Sequence, residues 1–135
     1  MATAHVQYSP AKDLTVKAAE ALSAGRFVQS GEYVDGANIT AVYCDGGALA
    51  VPLGVTGQDI ADTKIGHVVR RGAIMEVELS ATLAANALVK VTTDGKVAAA
   101  TAAGDMVIGK LLRGGDNGDL CLCDVFSNPA VLKIA

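Results

Sequence analysis

The chain has 135 residues, a formal net charge of −3 and a sequence pI near 5.2, a length that suits one domain with a real core. Its densest basic cluster, Arg70-Arg71, is two residues long; without a positive stripe to replace counterions on phosphates, no nucleic-acid partner is expected. No apolar run is long enough to span a membrane, and Met1-Ala2-Thr3-Ala4-His5 lacks the basic and apolar regions of a secretion signal, so synthesis in a cytoplasm and no membrane partner are expected.

Residues 1–12 are polar and contain Ser9-Pro10, so they read as an extended N-terminal arm. Residues 13–135 read as a single β-domain. Asp35-Gly36, Asp45-Gly46, Asp94-Gly95 and Asp116-Asn117-Gly118-Asp119 are turn signals, because these residues tolerate positive φ and bond to their own backbone. The β-branched runs between them predict strands at 14–17, 26–29, 40–44, 49–55, 64–69, 74–79, 88–92, 96–99, 106–112 and 120–126. At most one short helix is expected, a turn or two over 17–23 ending at Gly25. Segment 30–47 reads as an insert, either a loop or a hairpin.

Met75-Glu76-Val77-Glu78-Leu79 alternates with period 2, placing its carboxylates on one face as a solvated strip. Leu120-Cys121-Leu122-Cys123 is apolar on both faces and predicts a strand covered on both sides. After Phe126, Asn128-Pro129 precedes Val131-Leu132-Lys133-Ile134, an apolar stub expected to dock on its own sheet or on another subunit. Short strands at this spacing predict an all-β fold, a small compact β-barrel or β-sandwich.

The two halves echo each other. Leu22-Ser23-Ala24-Gly25-Arg26-Phe27-Val28 matches Leu83-Ala84-Ala85-Asn86-Ala87-Leu88-Val89 at an offset of 61 (Leu22 to Leu83). Downstream, two alignments compete. One sets Leu53-Gly54-Val55 and 65–69 against Ile108-Gly109-Lys110 and 117–121; the other pairs 65–70 with 108–113. Either one implies two related β-units packed as a duplicated barrel.

Candidate chemistry is sparse. Cys44, Cys121 and Cys123 form no CxxC pair and match no zinc spacing with His5 and His67, so they read as buried thiols in a reducing compartment. His67 has neither a nucleophile elbow nor an orienting carboxylate in sequence and reads as a surface or interface histidine. The Asp116–Asp119 turn lacks the glutamate that closes a calcium loop, and Gly54-Val55-Thr56-Gly57 is too short to cradle a phosphate. No catalytic residue, metal or cofactor is expected.

Leu-Ser-Ala-Gly at 22–25, Leu-Gly-Val at 53–55, Ile-Gly at 65–66 and Arg-Gly at 71–72 stand in an order similar to that of phage capsid decoration, or cement, proteins. Leu83 to Val89, Asp94-Gly95-Lys96-Val97, Ile108-Gly109-Lys110-Leu111 and Asn117-Gly118-Asp119-Leu120 continue the likeness over roughly 22–125. The resemblance implies a non-enzymatic virion protein, commonly a homotrimer at threefold positions, that clamps major capsid subunits on the outer surface of the head. It also implies an N-terminal arm reaching over the shell, which would place Tyr8 and Pro10 at the interface. Arg70, Arg71 and Arg113 read either as anchors for acidic capsid loops or as ordinary surface charges.

The alternative is a carbohydrate- or receptor-binding β-module of a phage fibre or surface protein. Against it stands an aromatic content of 4% with no Trp, leaving Tyr8, Tyr33 and Tyr43 to stack on a sugar.

Overall fold

The computed structural model describes residues 6–8, 13–31, 39–46 and 52–132. Its strands are β1 (Val6–Tyr8), β2 (Asp13–Ala18), β3 (Phe27–Ser30), β4 (Ile39–Tyr43), β5 (Gly54–Thr56) and β6 (Ile65–Arg70), followed by β7 (Ile74–Glu78), β8 (Leu88–Val91), β9 (Val97–Ala99), β10 (Met106–Leu111) and β11 (Leu120–Val131). The fold is all-β. Strands β2-β4-β3-β5-β6 close a barrel, and β1-β7-β11-β10-β8-β9 form a six-stranded sheet.

The helix expected over 17–23 does not form. Lys17 and Ala18 finish β2, Ala18 N–H donates to Lys64 O and Ala19 N–H to Ala41 O, and Leu22 exchanges two backbone bonds with Ile60. Ladder partners on both sides outweigh what a helix of one or two turns gains alone. The expected strands fall close to their places, with two differences, and β1 adds a strand inside the segment read as an extended arm, where Val6 and Tyr8 pair with Met75 and Ile74 of β7. β5 is shorter than the 49–55 prediction, of which residues 49–51 lie outside the described residues. β11 runs on past Phe126, because after an irregularity Val107 pairs with Ala130 and Met106 with Val131. Pro129 sits within that irregularity, where a missing N–H is tolerated. The C-terminal stub therefore docks on its own sheet as far as Leu132, which donates to Asp105 O and accepts from Gly104 N–H.

Asp105 organises that corner. Its carboxylate accepts from Ala102 N–H, from Lys90 Nζ at 3.2 Å and from Thr101 N–H, which holds its pKa below the ordinary 3.8. Because the folded value lies below the unfolded one, this stabilisation is present above pH 3.8 and is lost as pH falls through the folded value. Asp105→Asn is expected to flatten the acid limb of the stability–pH curve; a limb of unchanged slope would remove Asp105 from the acid response.

The second half repeats the first strand for strand. The β2–β6 pairing (Leu14 with Val68) recurs as β7–β11 (Met75 with Cys123), and β3–β4 (Val28 with Tyr43) recurs as β8–β9 (Val89 with Ala99). Likewise β3–β5 (Val28 with Gly54) recurs as β8–β10 (Val89 with Gly109), and β5–β6 (Val55 with Val69) as β10–β11 (Lys110 with Asp124). Even the isolated bridges correspond: Leu22 with Ile60, and Leu83 with Gly115. The parallel β2–β4 ladder is reduced in the second half to one bridge, Leu79 with Val97.

This register decides between the two sequence alignments. Gly54 corresponds to Gly109, as the first alignment has it, and β6 corresponds to β11, which removes the pairing of 65–70 with 108–113. Ile65 stands opposite Lys17 as Leu120 stands opposite Glu78, so the first alignment's placing of Ile65 on Asn117 is also corrected. The predicted 30–47 insert contains β4, and Ser30 faces Ala41 across a longer connection than that between Val91 and Val97. Its residues 32–38 and 47 lie outside the described ones.

The shorter connection in the second half explains its open seam. β8 and β9 are tied by a 3-10 turn at Thr93–Gly95, so β9 meets β7 only at Val97. The first half packs at that turn: Gly95 N–H donates to Cys44 O, and a Cβ on Gly95 would overlap Phe27 O. β1 lies on the edge of β7 beside Met75 and Ile74. Two cores result. Val16, Ala18, Leu22, Val28, Ala41, Ile60 and Val68 form one cluster. The other joins Phe27, Cys44, Val55 and Val69 of the first half to Met75, Val77, Leu79, Val89, Val97 and Ile108 of the second.

A charged latch crosses the same junction. Arg26 Nε and Nη2 each donate to the Glu78 carboxylate at 3.3 Å, Lys96 Nζ reaches it at 3.2 Å, and the Arg26 guanidinium lies 5.1 Å from the centre of the Tyr43 ring. The expectation of a solvated glutamate strip fails at Glu78, whose side chain is only 17% exposed. A burial of this depth holds a carboxylate only because two cations face it.

Candidate functional site

The described residues hold no assembled catalytic constellation. Cys44, Cys121 and Cys123 are free and buried, as expected. Burial raises the Cys44 thiol to about 11 and the Cys123 thiol to about 12, and burial raises Cys121 as well. These are packing groups rather than nucleophiles. At Cys44 the shift leaves on the order of 100-fold less thiolate than a free thiol at the same pH. A disulfide reagent at pH 8 is therefore expected to label native Cys44 and Cys123 only as fast as the chain opens, and immediately in denaturant. Fast labelling of either residue in the native state would contradict their burial.

His67 Nε2 lies 3.9 Å from Asp13 Oδ2 at the barrel surface. Among the described residues no group of three or more His, Cys, Asp or Glu could hold a metal ion. In the Asp116–Asp119 turn, the Asp119 carboxylate accepts from Asp116 N–H and Thr82 donates to Asp116, so both side chains serve the loop itself. Tyr43 is also committed internally: its ring lies against Arg26 and its hydroxyl accepts from Ser23 N–H. Tyr33 lies outside the described residues.

With the interior given over to packing, the surfaces remain. Arg70 ends β6 and is exposed, and Arg71 donates to Ser127 O at 3.1 Å. Tyr8 pairs with Ile74 just beyond that turn; its side chain, like all of Pro10, lies outside the described residues. The topology thus gathers Tyr8, Arg70 and Arg71 at one end of the sheet. Arg113 belongs to the β10–β11 turn at the other end, next to the strand start that carries Cys121. Six residue steps along β11 lead from Cys121 to Ser127, a distance of about 20 Å.

Sequence reading missed two features here. One is the Arg26–Glu78–Lys96 latch, whose members are far apart in the chain. The other is an apolar cluster on the outer face of the second sheet, where Leu88 is 37% and Leu112 is 45% exposed. The expected covering of both sides of β11 holds for Cys121 and Cys123, while Leu120 and Leu122 are only half-buried. The doubly apolar pattern of 120–123 was the available signal for that second face.

A family model described as phage cement protein matches residues 6–125, and the chain belongs to that family. Among solved structures, the N base of the head fiber gp8.5 in bacteriophage phi29 is similar, with a TM-score of 0.72 at 15% identity, covering 91% of this chain and 98% of that one. At that identity the likeness shows a shared fold. No curated protein matches the chain. Membership of that family makes this a phage structural protein.

Proposed function

We propose that the chain decorates the outer surface of a phage head and stabilises the shell by bridging neighbouring major capsid subunits, as a homotrimer at threefold positions. The observation that carries this reading is the cement-family match over 6–125, which takes in both β-units. A shell offers many identical sites, so a modest contact per subunit, made by several linked subunits, holds firmly. The end where Tyr8, Arg70 and Arg71 gather is the proposed shell-facing end, and Pro10 is proposed as a further contact of the arm. Arg113 lies far enough away to reach a different capsid subunit.

The test is co-sedimentation of the purified chain with heads that lack it. Saturable binding with a fixed ratio to the major capsid protein is expected, together with heads that rupture at a higher temperature. Arg70→Glu combined with Arg71→Glu is expected to lower occupancy about tenfold at sub-saturating concentration. Failure to bind heads at any concentration would overturn the reading, and unchanged binding by the double variant would move the contact away from this end.

A further inference from the structure

Between its two paired stretches, the β10–β11 ladder slips by unequal amounts. Gly109 pairs with Val125 and Val107 with Ala130, so Ile108 alone stands opposite four residues, Phe126-Ser127-Asn128-Pro129. Ile108 is buried in the core, so the surplus lies on β11 and leaves the sheet as an excursion. Ser127 and Asn128 are exposed, while Phe126 and Pro129 are half-buried. The duplicated fold provides a control. Gly54 with Arg70 is the first-half counterpart of Gly109 with Val125, so Phe126 falls at the place of Arg71. There the chain turns at once into β7, with Gly72 at a φ of +106°. Closing a unit of this kind therefore needs no excursion. An insertion that gives up ladder bonds is a conserved device for re-aiming side chains at functional sites.

Both feet of the excursion are fixed. Val125 accepts from Gly72 N–H and donates to Ala73 O on one side, and Leu132 donates to Asp105 O on the other. Between them, Arg71 Nη1 donates to Ser127 O at 3.1 Å, giving that carbonyl a donor in place of a ladder partner. The charge around it is positive. Among the described residues no carboxylate forms an ion pair with Arg70 or Arg71. Asp13, opposite Val69, has its carboxylate 3.9 Å from His67, and Asp124 stands opposite Lys110.

We infer that the 126–129 excursion is the contact element of the shell-facing end and takes an acidic segment of the major capsid protein. Arg70 supplies the charge, Asn128 at the exposed tip donates and accepts hydrogen bonds, and Phe126 adds a ring of the kind enriched at interfaces. Arg71 is a positioning residue, committed to Ser127 O. The inference rests on the shell reading above and adds to it the element that makes the contact and the chemistry of its partner.

Co-sedimentation of full-length variants with heads that lack the chain tests it. Asn128→Asp places a negative charge at the tip with little change of shape, and Asn128→Lys places a positive one. Occupancy at sub-saturating concentration should fall about tenfold for Asn128→Asp and rise about threefold for Asn128→Lys, both effects shrinking as salt rises. Both variants should keep the wild-type melting point, since the side chain is exposed. Arg71→Ala should lower occupancy about fivefold and Arg71→Lys should restore most of it. Combined with Asn128→Asp, Arg71→Ala should lose less than the product of the two single losses, because Arg71 acts through the excursion. Losses that multiply would make Arg71 a separate anchor and overturn its positioning role. Effects of the same sign for the two Asn128 variants, or none, while the wild type binds, would overturn the inference and leave the shell reading standing. A wild-type chain that binds no heads would overturn both.

Discussion

Replacing Gly54 with alanine is expected to cost about 3 kcal/mol or more and to lower the melting point by about 10 °C. A Cβ at this position would overlap the Val69 carbonyl oxygen and come within 2.7 Å of Val68 Cγ1. The first obstacle is backbone of the partner strand, which cannot rotate away as a side chain can. The corresponding glycine of the second half, Gly109, meets the same obstacle: its Cβ would stand 2.7 Å from Asp124 O and 2.8 Å from Cys123 Sγ. Gly109→Ala should therefore lose stability similarly. Gly118→Ala serves as the contrast, since a Cβ there meets nothing within 4 Å and only its φ of +90° resists substitution. Urea and thermal unfolding of the three variants would decide the matter. A Gly54→Ala chain that melts within a degree or two of wild type would show that β5 and β6 do not approach so closely.

The second large effect is expected at Glu78. Glu78→Ala removes the carboxylate that Arg26 and Lys96 share, leaving both cations facing each other at the junction of the two halves. Breaking a buried pair by deleting one partner costs more than the pair itself is worth, because the remaining charge stays desolvated. With the Arg26 and Glu78 side chains each 17% exposed, the loss is expected at about 2 to 3 kcal/mol. Lys96 is more open to solvent, and Lys96→Ala should cost less than about 1 kcal/mol. A double-mutant cycle between Arg26 and Glu78 isolates the coupling, expected at about 1 to 2 kcal/mol. A cycle near zero would mean that the latch follows from the packing of Phe27 and Gly95 without contributing to it.

These effects bear on function through the relation of the two halves. The proposed shell-facing end depends on β7 and β11, and β7 carries Glu78 at its end. Loosening the junction should therefore weaken any contact made across the second sheet before the barrel core is disturbed. Val16, Leu22, Val28, Ile60 and Val68 belong to that separate cluster.

Much of the architecture follows from local chemistry in the sequence by itself. Asp-Gly and Asn-Gly pairs mark turns, β-branched runs mark strands, and the recurrence of Leu-x-Ala near 22 and 83 shows the duplication, because backbone propensity and side-chain alternation act within a few residues. The inert cysteines were equally legible, since free thiols without ligand partners behave as small hydrophobes. Tertiary structure alone decided the rest. The helix expected over 17–23 gave way to strand and bridge, because Lys64, Ala41 and Ile60 supply ladder partners from distant sequence. The register of the repeat needed the pairing of Gly54 with Arg70 and of Gly109 with Val125, since short apolar runs align with one another in several ways. Glu76 and Glu78 look alike in an alternating strand, yet Glu78 is drawn into the latch by Arg26, 52 residues away. That Leu88, Lys110, Asp124 and Ile74 stand side by side across β8, β10, β11 and β7 is invisible along the chain for the same reason: four strands contribute one residue each, and only their hydrogen-bonded register makes them neighbours.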